Sequence, residues 1–254
     1  MQIRTIINPK FEWYRPYAEQ LPEKFSTGEL IYSDRNEIRR FNINGSTVVV
    51  KRFGRMNIIK KIIYTFFRDN KAIRSYRNSE ELLRRDVETP LPVAYVETRR
   101  YGLLDQLYYV STEVEGRSVK SEFIDKTDFD HARFNAYILF VSSLHEKGIL
   151  HRDLNPTNVL FYTIGNDDIH FVLIDVNRMT FYDTPVPKEE CMENLTLFWN
   201  LTPVYFYMLK IYGKDNDWTP EDIETAIRVK KEHDLKWARK KAFSHLFKKK
   251  KKQK

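Results

Sequence analysis

Residues 151–160, "HRDLNPTNVL", set the carboxylate of Asp153 two and five residues ahead of the carboxamides of Asn155 and Asn158, just before an apolar run. Downstream, "VLFYTIGNDDIHFVLID" carries two apolar stretches, 159–162 and 169–174, on either side of a turn-rich "GNDD". That pattern predicts a β-hairpin centred between Asn166 and Asp167. In this register Asn158 faces Asp175 at the open end of the hairpin, with Asp153 in the loop before it. Two hard-oxygen ligands and one acid would then share a small volume. Mg²⁺ bound with a nucleotide phosphate wants such a set, because it takes only one or two protein oxygens and fills its shell with phosphate oxygens and water. Asp153 would be placed to accept a hydroxyl proton and to orient that hydroxyl toward a γ-phosphate.

These groups need a frame, and composition bounds it. The chain has 254 residues, 42% of them hydrophobic and 14% aromatic, enough to bury a core as one large domain or two lobes. Cys191 is the only cysteine, so an intrachain disulfide is excluded, C-x-x-C metal spacings are absent, and a reducing compartment fits best. The first residues lack the apolar core of a secretory signal, and the apolar-leaning stretch 194–209 is broken by Asn200 and Pro203 and too short to span a bilayer. A cytoplasmic location is expected. The net charge of +8 is a property of the tail: residues 236–254 hold ten Lys or Arg and no acid, and without them the remainder carries −2. Nucleic acid is therefore not an expected partner. Lysines beside Trp237, Phe243, Leu246 and Phe247 suit an anionic membrane surface, or else a solvated tail. The tail grows from a predicted helix that opens at Thr219-Pro220, with Ile223, Ile227, Leu235, Ala238 and Ala242 as its apolar stripe.

"HRDLNPTN" resembles the catalytic loop of the protein-kinase-like superfamily, and "LIDVN" its metal-binding Asp segment. The resemblance implies a strand lysine that grips nucleotide phosphates and pairs with an acid on the following helix. Residues 37–53 read as a hairpin around Asn44-Gly45, with Lys51 on the face shared by Val49 and Phe53. A helix is expected over Lys71–Asp86, with Ile73, Tyr76, Leu83 and Glu80 in one stripe, so Glu80 is the expected partner of Lys51. Glu81 lies nearer Arg77, Arg84 and Arg85. The strand "LYYVSTEVEGRSV" ends in a connector whose Glu113, Val114 and Glu115 would offer backbone groups to adenine.

Several departures argue against an ordinary protein kinase. "YSDRNEI" has no glycine where the phosphate-covering loop belongs, the metal segment reads Asp-Val-Asn, no Ala-Pro-Glu follows, and only 79 residues come after Asp175. The chain instead resembles the lipopolysaccharide kinase family, through "DLNPTNVL", "LIDVNRM" and "RSYRNSEELLRRDVETPLPVAYVE". The resemblance implies an α+β, bilobal protein-kinase-like fold: a β-rich N-lobe with one main helix over 1–115, a reduced and mostly helical C-lobe over 116–235, and a basic tail over 236–254. It implies ATP and Mg²⁺ as cofactors and a Kdo or heptose hydroxyl on a lipid-linked core oligosaccharide as acceptor. Asp153 and Asn155 would be the catalytic residues and Asn158 and Asp175 the metal ligands, with His151 and Arg152 bracing the loop. The basic tail would bring the enzyme to the inner face of the cytoplasmic membrane. A reduced protein kinase, a small-molecule kinase and a non-catalytic pseudokinase are the competing readings.

Overall fold

A computed structural model describes residues 1–124, 130–165, 168–198 and 201–252, with side chains described as far as residue 242 apart from that of residue 124. The chain forms two compact units, one of residues 1–116 together with 172–178, the other of 117–171 and 179–254.

The first unit is built on β1 (Gln2–Ile7), α1 (Arg15–Lys24), β2 (Glu29–Ser33), β3 (Glu37–Ile43), β4 (Ser46–Arg52), α2 (Ile58–Phe66), α3 (Lys71–Arg84), β5 (Pro92–Arg100) and β6 (Leu103–Thr112). The strands make one antiparallel sheet in the order β1-β5-β6-β4-β3-β2. The β3–β4 turn is the Asn44-Gly45 pair, both at positive φ (51° and 78°), as a two-residue hairpin turn with this twist demands. Alternation along β4 then sorts its side chains. Val48 and Val50 enter a core with Ile7, Tyr14, Ala18, Leu21 and Phe25, so the N-terminal strand and helix cover that face. Phe53 joins a second core with Ala72, Ile73 and Tyr76 of α3 and Leu104 and Leu107 of β6. Lys51 projects on the Phe53 side, as period-two geometry requires.

α3 departs from its expected stripe. Its buried face is Ala72, Ile73, Ser75, Tyr76, Ser79 and Leu82. Leu82, not Leu83, takes the core position, and Glu80 falls off the face and is exposed. Asn70 caps the helix by accepting from the Ala72 and Ile73 amides, which fixes this phase.

The second unit holds β7 (Arg117–Ser118), α4 (His131–Glu146), β8 (Ile149–His151), β9 (Val159–Ile164), most of β10 (Asp168–Leu173), β11 (Met179–Phe181), α5 (Lys188–Leu195), α6 (Pro203–Asp215) and α7 (Pro220–Lys252). β9 lies between β7 and β10, and β8 pairs with β11. The hairpin's central turn at Asn166-Asp167 lies outside the described residues, as does Asn200. Aromatic rings fill the interior: Phe134 and Tyr137 of α4 both meet Phe198, with centroids 5.9 and 5.5 Å apart. α7 begins with a reciprocal cap: the Asp222 amide donates to Thr219 Oγ1 (3.2 Å) and the Thr219 amide to Asp222 Oδ2 (2.9 Å). Along its first turns Ala226 and Lys230 are buried, and Ile223 and Ile227 of the expected stripe are half-buried. Leu235, Ala238 and Ala242, expected to continue the stripe, are exposed. Phe243, Leu246 and Phe247 have no described side chains. Among the described residues no helix is long and apolar enough to cross a membrane.

Candidate active site

Within the first unit, Lys51 Nζ lies 2.5 Å from Asp175 Oδ1, and the same oxygen accepts from Asn177 Nδ2 at 2.5 Å. Asp175 sits at φ +55°, a left-handed conformation that Asp tolerates better than most residues and that marks a position held by its surroundings. Those surroundings are specific. Asn78 of α3 donates to the Val176 carbonyl (2.7 Å), Thr89 Oγ1 donates to the Leu173 carbonyl (2.8 Å), and the Leu173 amide donates to the Glu88 carbonyl (2.9 Å). These three bonds bind 172–178 to the first unit. Lys51 therefore pairs with Asp175 and not with Glu80, which is exposed and whose carboxylate bonds the hydroxyl of Tyr76. Glu81 bonds Arg84 and Arg85, which holds its carboxyl down at about 2, while Arg77 pairs with Asp69.

Lys71 beside Lys51, and Arg35 beside Lys71, were not anticipated from sequence. Lys51 and Lys71 place their ammonium groups 5.4 and 5.8 Å from the centroid of one ring, Phe53. Burial, then the positive charges of Arg35, Lys60 and Lys51, push Lys71 down to about 8, with Asp175 opposing. Arg35 belongs to the glycine-free β2–β3 turn. That turn is pinned by the Gly54 amide donating to Asn36 Oδ1 (3.1 Å), and a Cβ at Gly54 would lie only 2.1 Å from the Arg35 carbonyl oxygen. A cavity of about 230 Å³ opens beside this turn, lined by Arg35, Asn36, Arg52, Gly54, Arg55 and Asp105 among others. The signal in the sequence was the Arg in "YSDRNEI" and the Lys that opens α3. Neither falls in a recognised motif. At the end of β6, Glu113 Oε1 accepts from Arg40 Nε (2.7 Å), so this side chain is tied to β3, and the backbone of Glu113, Val114 and Glu115 leads out of the strand.

Within the second unit, the loop after β8 is wired around Asp153. Its carbonyl accepts from the Asn155 amide (2.8 Å), from Asn158 Nδ2 (2.9 Å) and from Asn155 Nδ2 (3.3 Å), and its Oδ1 accepts from Asn155 Nδ2 (3.3 Å). Asn158 spends its nitrogen on the loop, which turns its Oδ1 into the atom suited to a metal. Arg152 reaches Glu190 (2.8 Å) and Thr180 Oγ1 (3.0 Å), and His151 Nδ1 accepts the Asp153 amide (3.1 Å), so both brace the loop. A buried relay supports it from below: Tyr212 bonds His145 Nδ1 (2.7 Å), His145 Nε2 bonds Asn194 Oδ1 (3.0 Å), and Asn194 Nδ2 donates to the His151 carbonyl (2.8 Å). Among the described residues no cluster of three or more His, Cys, Asp or Glu is placed to hold a metal. Structural zinc wants such a cluster, whereas Mg²⁺ bound through phosphates does not.

The description "Lipopolysaccharide kinase (Kdo/WaaP) family" belongs to the family model that matches residues 35–230. Among solved structures, WaaP in complex with acyl carrier protein superposes with a TM-score of 0.57 at 18% identity, covering 95% of this chain and 98% of that one. The Rio2 kinase–ADP/Mg²⁺-phosphoaspartate complex from Chaetomium thermophilum has a TM-score of 0.47 at 16% identity, covering 91% of this chain and 82% of that one. The serine/threonine-protein kinase nekl-2 of Caenorhabditis elegans is 27% identical over 116 residues, 41% of this chain and 32% of that protein, so the chain matches about a third of that relative's length. The fold is thus α+β, bilobal and protein-kinase-like, with the antiparallel sheet in one lobe and a mostly helical second lobe.

Proposed function

The chain belongs to the lipopolysaccharide kinase (Kdo/WaaP) family and is a kinase of that type, and from that premise we propose that it transfers the γ-phosphoryl group of ATP to a sugar hydroxyl, Kdo or heptose, on a lipid-linked core oligosaccharide. The observation that carries this reading is the Lys51–Asp175 pair, a cation and a carboxylate brought from 124 residues apart. Isolated, the two neutralise each other. With MgATP bound, each has a separate task.

Each unit offers groups of the kind the cofactor takes: the first, the carboxylate of Asp175 for Mg²⁺ and Lys51, Lys71 and Arg35 for phosphate oxygens; the second, Asn158 Oδ1 as a further hard oxygen. Bound Mg²⁺ supplies neutralisation of the charge that spreads over the γ-phosphoryl oxygens. The protein's residues do the rest. Lys51 holds the α- and β-phosphates, Glu113 to Glu115 offer backbone groups to adenine, and Asp153 accepts the acceptor hydroxyl's proton and sets that oxygen in line. Asn155 restrains the Asp153 carboxylate, taking the position where many protein kinases carry a lysine, without adding charge. Glu80 is left as a surface residue of α3 with no proposed contact to ATP. The acceptor's lipid anchor gives the basic tail its use, since each Lys or Arg near an anionic surface gains about 1 kcal/mol.

The test is transfer of labelled γ-phosphate from MgATP to an envelope glycolipid extract and to a protein extract, offered separately, each beside an Asp153→Ala control. Label in glycolipid that the variant loses is the expected result. Label confined to protein would move the chain to the reduced protein kinases, and bound ATP with no transfer to either would sink the reading.

A further inference from the structure

α2 is turned inside out. Its sequence, "IIKKIIYTF", followed by Phe67, places Ile58, Ile59, Ile62, Ile63, Phe66 and Phe67 on one stripe at helical spacing. On an ordinary surface helix that stripe would face the core. Here all six are exposed, from 40% at Ile62 and Ile63 to 78% at Phe67, and α2 has no buried residue. The opposite face makes the attachments. Lys61 Nζ lies 2.5 Å from Asp105 Oδ1, and Thr65 Oγ1 accepts the Leu104 amide at 3.0 Å, so β6 holds the helix by its polar side. Asn57 caps the N-terminus by accepting the Lys60 amide (2.9 Å), and the helix is thus a fixed platform about 13 Å long.

Charge identifies what the platform meets. Besides Lys61, which Asp105 neutralises, residues 55–68 contain Arg55, Lys60 and Arg68 and no acidic residue. A second copy of the helix would bring those cations against their like. An anionic bilayer complements both features, taking isoleucine and phenylalanine into the acyl boundary and lysine and arginine at the headgroups. Apolar exposure on this scale is uncommon on a surface that stays in water.

We propose that α2 is a membrane-docking helix, lying in the plane of an anionic lipid surface with Ile58, Ile59, Ile62, Ile63, Phe66 and Phe67 inserted. The inference deepens the proposed function, on which it rests for the lipid character of the surface, and it is independent of the basic tail.

The experiment is co-sedimentation of the full chain with vesicles of phosphatidylcholine mixed with phosphatidylglycerol, compared with phosphatidylcholine alone. Neither ATP nor acceptor is present, so its result stands apart from that of the transfer assay. The variants are Ile59→Glu with Phe66→Glu, and separately Ser at all of 248–252. Ile59 and Phe66 are 64% and 66% exposed, so the melting temperature should hold. Binding to anionic vesicles should fall roughly tenfold or more in the glutamate pair with the tail intact. In Ile59→Cys, a solvent-sensitive dye on residue 59 should shift to the blue on vesicles, since buried Cys191, its thiol pushed up to about 11, escapes the label. Unchanged binding in the glutamate pair, or no dye shift while the protein sediments, would overturn the proposal. So would self-association abolished by the glutamate pair in a chain that ignores vesicles.

Discussion

Lys51 Nζ and Asp175 Oδ1 stand 2.5 Å apart, and the strand and the loop that carry them are held by separate sets of bonds. The pair therefore does not depend on its own attraction to exist, and the two roles can be separated by substitution. Lys51→Met should weaken ATP binding about tenfold with or without Mg²⁺, while Asp175→Asn should weaken it only when Mg²⁺ is present; transfer should fall by roughly 10²–10³ in either. Titration calorimetry in magnesium and in chelator checks this. Equal loss for Asp175→Asn in both buffers would contradict its metal role.

Lys71 stands among like charges. Lys71→Met relieves that crowding, so the nucleotide-free protein should melt at the same temperature or slightly higher. If Lys71 grips phosphate, the same variant should raise the KM for ATP roughly tenfold, and Arg35→Ala should act in the same direction. A drop in melting temperature with unchanged KM would make Lys71 structural.

Gly54 is defined by space. In Gly54→Ala the new methyl would have to displace the Arg35 carbonyl, 2.1 Å away, and with it the β2–β3 turn. The expected cost is about 1–3 kcal/mol of stability, read by denaturant unfolding, together with weaker ATP binding. Retained affinity despite the lost stability would show that the turn plays no part in holding nucleotide.

His145 sets a pH limit. Burial pushes it down from 6.5 to about 4, so the folded chain keeps it neutral. Above pH 6.5 the folded and unfolded chains agree and nothing is lost. Below it the unfolded chain takes up a proton that the folded chain refuses, and stability falls until about pH 4, by about 3 kcal/mol in all. His145→Gln should flatten that slope between pH 6.5 and 4, measured by urea unfolding. An unaltered slope would assign it elsewhere.

Much of the candidate site's local geometry was legible, because the spacings that build it are short. The spacing of Asp153, Asn155 and Asn158 is a turn's geometry, and Lys51 follows from strand alternation after an Asn-Gly hairpin. That Asp175 and not Glu80 partners Lys51 was not legible, because it depends on the return of residues 172–178 to the first unit as well as on the phase of α3. A one-residue choice between Leu82 and Leu83 decides whether Glu80 points inward, and Asn70 makes that choice through capping. Lys71 and Arg35 were hidden for another reason: the approach of Lys71 to Lys51, and of Arg35 to Lys71, is tertiary, and no spacing encodes it. α1 carries Pro16 and Pro22, which obscure a helix. α2 has the pattern of a core helix, and only the structure shows which side it turns to the protein.

The first unit is not one length of chain. Residues 172–178, with Asp175, rejoin it after the chain has built β7, α4, β8 and β9 elsewhere. No single cut separates the two units. A fragment ending at Gly116 keeps Lys51 and loses its carboxylate, and the complementary fragment carries Asp175 without the strand and helix that fix its backbone. The two halves of the kinase are thus stitched by covalent connectivity, and neither can be exchanged, deleted or inherited as a cassette without opening the Lys51–Asp175 pair.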